Sequence, residues 1–204
     1  MFPTTIWTMI RDAGARDEPA RTDVATRYRE PVLRFLRAKG VPAAEVDDVV
    51  QDVFLRLFSG DALGKADRTK GRFRAYLLTI ARRVAIDHLR RKRPTAPLAD
   101  DLEDTDQDPA FDEPFALDVL ARALDALKQE YAASHAVLER HIAGQTVDRA
   151  ELWVARKRLV KKVRHEVAMT CDSTDAIEDE LRILGRYLAA SKASAGDDDQ
   201  SSPR

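Results

Sequence analysis

Residues 71–93 read GRFRAYLLTIARRVAIDHLRRKR. No Pro or Gly follows Gly71, and Leu, Ala, Arg and Ile dominate, so the stretch predicts one long helix. Phe73, Tyr76, Leu77, Ile80, Ala81 and Val84 recur at steps of three and four, the period of a buried stripe. A second face carries Arg72, Ala75, Thr79, Arg82, Arg83, Ile86, Arg90 and Arg93 at helical spacing. One side anchors in a core while the other offers a cationic strip. Such a strip is either a solvated face or a surface for an anionic partner. A solvated face normally mixes signs, and this one does not, which favours DNA.

Charge along the chain supports that polarity. Residues 65–93 hold eleven Lys or Arg against Asp67 and Asp87, a balance of +9. Residues 94–118 hold nine acidic side chains and no basic one. The two stretches cancel within an overall charge of −1, so the whole-chain balance conceals a segregated one. A protein that coats nucleic acid would be basic overall; this chain is expected to bind DNA weakly by itself. If residues 94–118 fold back over the basic helix, they mask it from DNA.

With 204 residues and 44% hydrophobic composition, the chain can bury one sizeable core or two small ones, and the Pro/Asp-rich middle argues for two. Strand-like alternation is absent, so the expected fold is all-α. The predicted organisation is two small helical domains, residues 1–93 and 114–191, joined by an acidic flexible linker, residues 94–113. A disordered tail, residues 192–204, would follow. One cysteine, Cys171, rules out a disulfide framework and a Cys-based zinc site. The four His lack metal-ligand spacing, the nearest pair, His135 and His141, being six apart. No metal site, cofactor or catalytic residue is expected. The opening MFPTTIWTMIRDAGA lacks a positive flank, and no apolar run reaches the length of a signal or membrane segment. A cytoplasmic protein without membrane association is the expectation.

Along the chain, Thr4 or Thr5 caps a short first helix ending near Gly14. A second runs from about Thr22 to Ala38, closed by Gly40, with Pro31 predicted to kink or break it. After Pro42, AAEVDDVVQDVFLRLF buries Val46, Val49, Val50, Val53, Phe54, Leu57 and Phe58. Its opposite side holds Asp47, Asp48, Gln51, Asp52, Leu55 and Arg56. Those three carboxylates suit either a magnesium site for phosphodiester chemistry or an acidic face that docks on a basic partner; no catalytic His or Lys accompanies them. Residues 59–70 form a polar loop. In the second half, FALDVLARALDALKQEYA and HAVLERHIAG predict two helices. A second basic helix follows at about residues 147–169, with Arg156, Lys157, Arg158, Lys161, Lys162 and Arg164 beside Leu152, Leu159, Val163 and Val167. A last helix carries Ile177, Leu181, Leu184 and Leu188.

On these residues the chain resembles the extracytoplasmic-function (ECF) sigma factors of bacterial RNA polymerase. DDVVQDVFLRLF is similar to the family's D-x-x-Q-(E/D)-x-F helix, and Gln51, Asp52 and Phe54 fall on it. GRFRAYLLTIARRVAIDHLRR is similar to its F-x-x-W-L-x-x-I-A-x-N-x-x-x-D-x-x-R helix, with Tyr76 in place of Trp and Arg83 in place of Asn. FPTTIWTM and DELRILGRYL resemble the two ends of one subgroup. The resemblance implies docking on the beta-prime clamp helices of core RNA polymerase through Asp47, Asp48, Gln51, Asp52, Phe54 and Leu55. It implies contact with the minus-ten element of promoter DNA through Arg72, Tyr76, Thr79, Arg82, Arg83, Ile86, Arg90 and Arg93. An anti-sigma factor is a further partner such a protein can have.

VARKRL (residues 154–159) resembles the end of a minus-thirty-five recognition helix, and residues 144–146 the opening of its motif. The stretch between is about one helix and turn short of a helix-turn-helix. Arg156, Lys157, Arg158 and Lys161 therefore either grip phosphates without reading bases or face the polymerase. Three functions remain in play: a sigma factor, a degenerate relative that binds polymerase without initiating transcription, and a metal-dependent nuclease on Asp47, Asp48 and Asp52.

Overall fold

The computed structural model describes residues 18–59, 73–92, 107–171 and 173–197. Among them are seven helices and no strand: α1 (Glu18–Ala38), α2 (Val46–Phe58), α3 (Phe73–Lys92), α4 (Pro109–Glu130), α5 (Ala132–Ile142), α6 (Arg149–Ala168) and α7 (Thr174–Asp197). The short helix expected before Gly14 lies outside the described residues, as does the loop at 60–70.

Local chemistry sets the helix ends. α1 begins four residues ahead of Thr22, whose hydroxyl donates back to the Glu18 carbonyl (2.9 Å) inside the helix instead of capping it. Pro31 sits within α1 without breaking it. Gly40 closes α1 at φ 91°, with Val41 N–H donating to the Leu36 carbonyl and Gly40 N–H to that of Arg37, each at 3.0 Å. That double bond pattern needs a left-handed residue, which glycine adopts without a Cβ penalty. α4 starts where Asp108 accepts from Ala110 N–H (3.0 Å) and Pro109 takes the first turn. Asp148 caps α6 by accepting from Ala150 and Glu151 N–H.

Two expectations about boundaries are corrected here. Residues 109–113, expected in the flexible linker, belong to α4, where Phe111 and Asp112 are fully buried; residues 94–106 of that linker are outside the described set. The tail expected from residue 192 is helical as far as Asp197, as the alanines at 189, 190, 193 and 195 favour.

The halves also do not form separate cores. One cluster joins Val24, Tyr28, Phe35, Val50, Phe73 and Leu77 of α1–α3 to Phe111, Phe115, Val119, Val167, Ile177 and Leu184 of the second half. Tyr28 is its hub, edge-on to Phe73 (5.1 Å) and stacked on Phe115 (5.2 Å), geometries that aromatic quadrupoles favour. A satellite cluster of Leu127, Val137, Leu138 and Ala155 holds the distal ends of α4–α6 together.

A buried cluster of charges ties the halves together. Arg74, 1% exposed, is ion-paired through Nη1 with Asp112 of α4 and through Nε with Glu180 of α7 (2.6 Å). Asp112 also accepts from Asp108 N–H (3.1 Å) and the Tyr187 hydroxyl (3.3 Å). Burial pushes the Asp112 carboxyl up, and the Arg74 guanidinium opposes it. Each buried charge is thus met by opposite charge and hydrogen bonds, without which burial would cost several kcal/mol per ion.

Replacing the cation alone strands two carboxylates. Arg74→Met is expected to destabilise the fold by about 3–5 kcal/mol, read as a lower urea midpoint; an unchanged midpoint would contradict this packing.

Candidate nucleic-acid interface

α3 has two very different sides. Phe73, Leu77, Ile80 and Val84 are buried, Phe73 against Tyr28 of α1, and Leu78, Ala81 and Ala85 are buried along the face that carries Arg74, which meets α4 and α7, and Arg82. What remains outward is a stripe of half-buried Tyr76, Thr79, Ile86 and Asp87 with exposed Arg83 and Arg90. These residues recur at three- and four-residue steps along a single face. Among the described residues, neither Arg83 nor Arg90 makes an ion pair. Arg83 lies near enough to Tyr76 to pull its hydroxyl down, against the stronger upward push of burial. The stripe thus offers an aromatic ring, a hydroxyl and two cations. Thr79 donates to the Ala75 carbonyl (3.1 Å), leaving its oxygen able to accept from a partner.

Arg82 is not part of that surface. It is 5% exposed, donates through Nη2 to the Gln107 carbonyl (3.1 Å) and lies 3.8 Å from Asp108. Arg82 and Arg83 are neighbours in sequence and about 100° apart around a helix; that step turns Arg82 toward Gln107 and Asp108 and leaves Arg83 exposed. Arg72 and Arg93 lie outside the described residues.

α2 presents its own surface. Asp47, Asp48, Gln51, Asp52, Leu55 and Arg56 are all exposed, in a band at i, i+1, i+4, i+5, i+8 and i+9. Leu55, 68% exposed, is the apolar point in it. Asp47 pairs with Arg29 of α1 (2.6 Å) and Arg56 with Asp87 of α3 (2.9 Å). Phe54, assigned to the same surface by resemblance, is buried and stacked on Phe58 (6.1 Å). It packs into the core beneath the exposed band. The magnesium reading of Asp47, Asp48 and Asp52 lacks its geometry: no three carboxylate, His or Cys groups among the described residues are placed to hold an ion.

In the second half, Arg156, Lys157 and Lys161 are exposed on α6. Arg158 is not available in the same way: it donates to the Ser134 hydroxyl (2.8 Å) and covers the Tyr131 ring at 4.3 Å. Sequence reasoning missed Trp153, 58% exposed, with the Lys157 ammonium 4.1 Å from its ring centre, and Val160, 65% exposed. Their seven-residue spacing, in register with Lys157, was the available signal. α5 and α6 are joined by residues 143–148, with Gly144 at φ 74°. Glu166, near the end of α6, is fastened to Arg27 (2.8 Å) and Arg122 (2.9 Å).

The segment carrying both outer faces can be compared with known families. Residues 24–95 match the family model described as Sigma-70 region 2. No curated protein and no solved structure matches the chain. A region 2 domain at these residues supports a sigma-factor family, with binding to RNA polymerase and to promoter DNA in transcription initiation. The matched segment runs from within α1 to just past α3, so both the α2 band and the α3 stripe fall inside it. No helix among the described residues is long and apolar enough to cross a membrane.

The two neighbouring arginines make opposite predictions. Arg83→Ala is expected to leave the melting temperature unchanged and weaken promoter binding by the assembled complex, lowering the salt-dependence slope by about 1. Arg82→Ala is expected to lower the melting temperature. Equal effects from both would contradict the inward placement of Arg82.

Proposed function

We propose that the chain is a sigma factor of the ECF type. The α2 band docks on the clamp helices of core RNA polymerase, and the α3 stripe engages the minus-ten element in the cytoplasm. The observation that carries this reading is the pair of separate outward faces on adjoining helices within the matched segment, an exposed band on α2 and a stripe with exposed Arg83 and Arg90 on α3. The work required of α3 is to hold bases that have left the stack, at about a few kcal/mol of unstacking per base. Tyr76 would offset that by stacking, worth about 1–3 kcal/mol per base, while Arg83 and Arg90 hold phosphates. Core polymerase supplies the remaining cationic surface, which fits a chain whose own net charge is −1.

In this reading the second domain is a shortened relative of a minus-thirty-five reader. α6 contributes Arg156, Lys157 and Lys161 as phosphate contacts without a complete reading motif. The use of Arg158 in packing favours a second reading, a relative that binds polymerase without initiating. Run-off transcription with purified core polymerase separates the two. Promoter-dependent transcripts are expected; binding to core without transcripts would select the second reading, and no binding at all would remove both.

Within that assay, Tyr76→Ala is expected to reduce open-complex formation by about ten- to a hundredfold, the equivalent of about 1–3 kcal/mol of lost stacking. Tyr76→Trp is expected to retain it. Loss with both substitutions would mean the ring serves packing alone.

A further inference from the structure

Two exposed helix faces, far apart in the chain, are complementary to each other. On α2, Asp48, Asp52 and Leu55 lie within about 60° of one another around the axis, and all three are exposed. On α6, Trp153, Lys157 and Lys161 lie within about 80° and are likewise exposed, with Val160 beside them. Among the described residues none of these four charges makes an ion pair; Lys157 lies over the Trp153 ring. Each face thus combines unneutralised charge, opposite in sign on the two helices, with large apolar side chains left in water. Leu55 is 68% exposed, Trp153 58% and Val160 65%. Because both faces are exposed, they do not cover each other within one copy.

We propose that the outer face of α2 docks, antiparallel, on the outer face of α6 of a second copy of this chain. The spacings match. Asp52 and Asp48 lie about 4.5 and 10.5 Å of helix rise from Leu55, and Lys157 and Lys161 about 6 and 12 Å from Trp153. An antiparallel pair therefore sets Leu55 on Trp153, Asp52 on Lys157 and Asp48 on Lys161. The residual offset of about 1.5 Å is taken up by the flexible lysine stems. Opposite charges fix the register, and the apolar pair loses water at one end. The α3 stripe is a poorer seat for α2, because its Tyr76 and Ile86 are half-buried. A phosphate backbone offers the α6 lysines a counter-charge but gives Trp153 and Val160 no apolar cover. The contact is heterologous: each copy lends α2 to one neighbour and α6 to another. It hides the α2 band from core polymerase and the α6 lysines from phosphates in the free chain; only this consequence rests on the function proposed above.

Two single helix faces bury less than about 1,200 Å², the range of weak contacts, so the test is sedimentation of the full-length chain across micromolar to submillimolar concentrations. The average mass is expected to rise above the monomer's with concentration and to fall back as added salt screens the charges. Asp52→Lys and Lys157→Glu are each expected to weaken self-association by about tenfold or more, with melting temperatures unchanged because both side chains are exposed. An equimolar mixture of the two variants restores one intact contact, α2 of the Lys157→Glu copy on α6 of the Asp52→Lys copy. That mixture is expected to form a dimer that grows no further. A chain that stays monomeric throughout, association that survives both substitutions, or a mixture that stays monomeric would overturn the inference. Core polymerase added to the associated chain is expected to disperse it into one-to-one complexes. Self-association that stands while the dispersed chain fails to bind core would strike the polymerase reading and leave the self-contact in place.

Discussion

A guanidinium in the middle of a protein has to be met where it stands, and Arg74 is met by carboxylates 38 and 106 residues further along the chain. That requirement fixes α4 and α7 against α3. The aromatic contacts of Tyr28 with Phe73 and Phe115 add shape to the same junction. Once α4 and α7 cover that side, Arg82 is carried inward with Arg74, and α3 has one side left to show. The cationic face of the protein is therefore narrower than the run of arginines suggests, and its orientation is set from behind. Ion pairs of this kind contribute little net stability over an apolar substitute of the same shape; what they impose here is which way a helix is turned.

The near-cancellation of charge acquires a physical meaning. Lys39 pairs with Asp108 (2.8 Å), Arg82 lies near the same carboxylate, and Arg74 pairs with Asp112. Part of the acidic stretch after α3 thus neutralises part of the basic stretch, by packing inside the fold and not by lying over a DNA surface. Arg83, Arg90 and Arg91 keep their charge for partners. Of the basic side chains described on α3, Arg74 and Arg82 are thus spent on packing.

Much of the architecture was legible because apolar spacing is a local property. The α2 stripe from Val46 to Leu57 is buried as its period requires, and the outer band at Asp47, Asp48, Gln51, Asp52 and Leu55 follows as its complement. α3 was harder. The outward positions of Thr79, Arg83, Ile86 and Arg90 were readable, but periodicity put half-buried Tyr76 in the core stripe, and Arg74 and Arg82 were not recognisable as interior residues. Periodicity assigns charge to the outside unless the partner is known, and those partners lie far along the chain. The same limit hid Asp108 and Asp112, which look like more of an acidic run and act as a helix cap and an ion-pair partner. Phe54 shows the converse: motif resemblance marks a position as important without saying whether it touches the partner or supports what does.

The account stands on two adjoining helices offering separate faces to separate partners, and photocrosslinking tests that division directly. With a photoreactive amino acid at Gln51 or at Arg83, and the chain assembled with core polymerase and promoter DNA, the Gln51 probe is predicted to label a polymerase subunit and the Arg83 probe to label DNA. Labelling of the same partner by both probes, or by neither in an assembled complex, would contradict it.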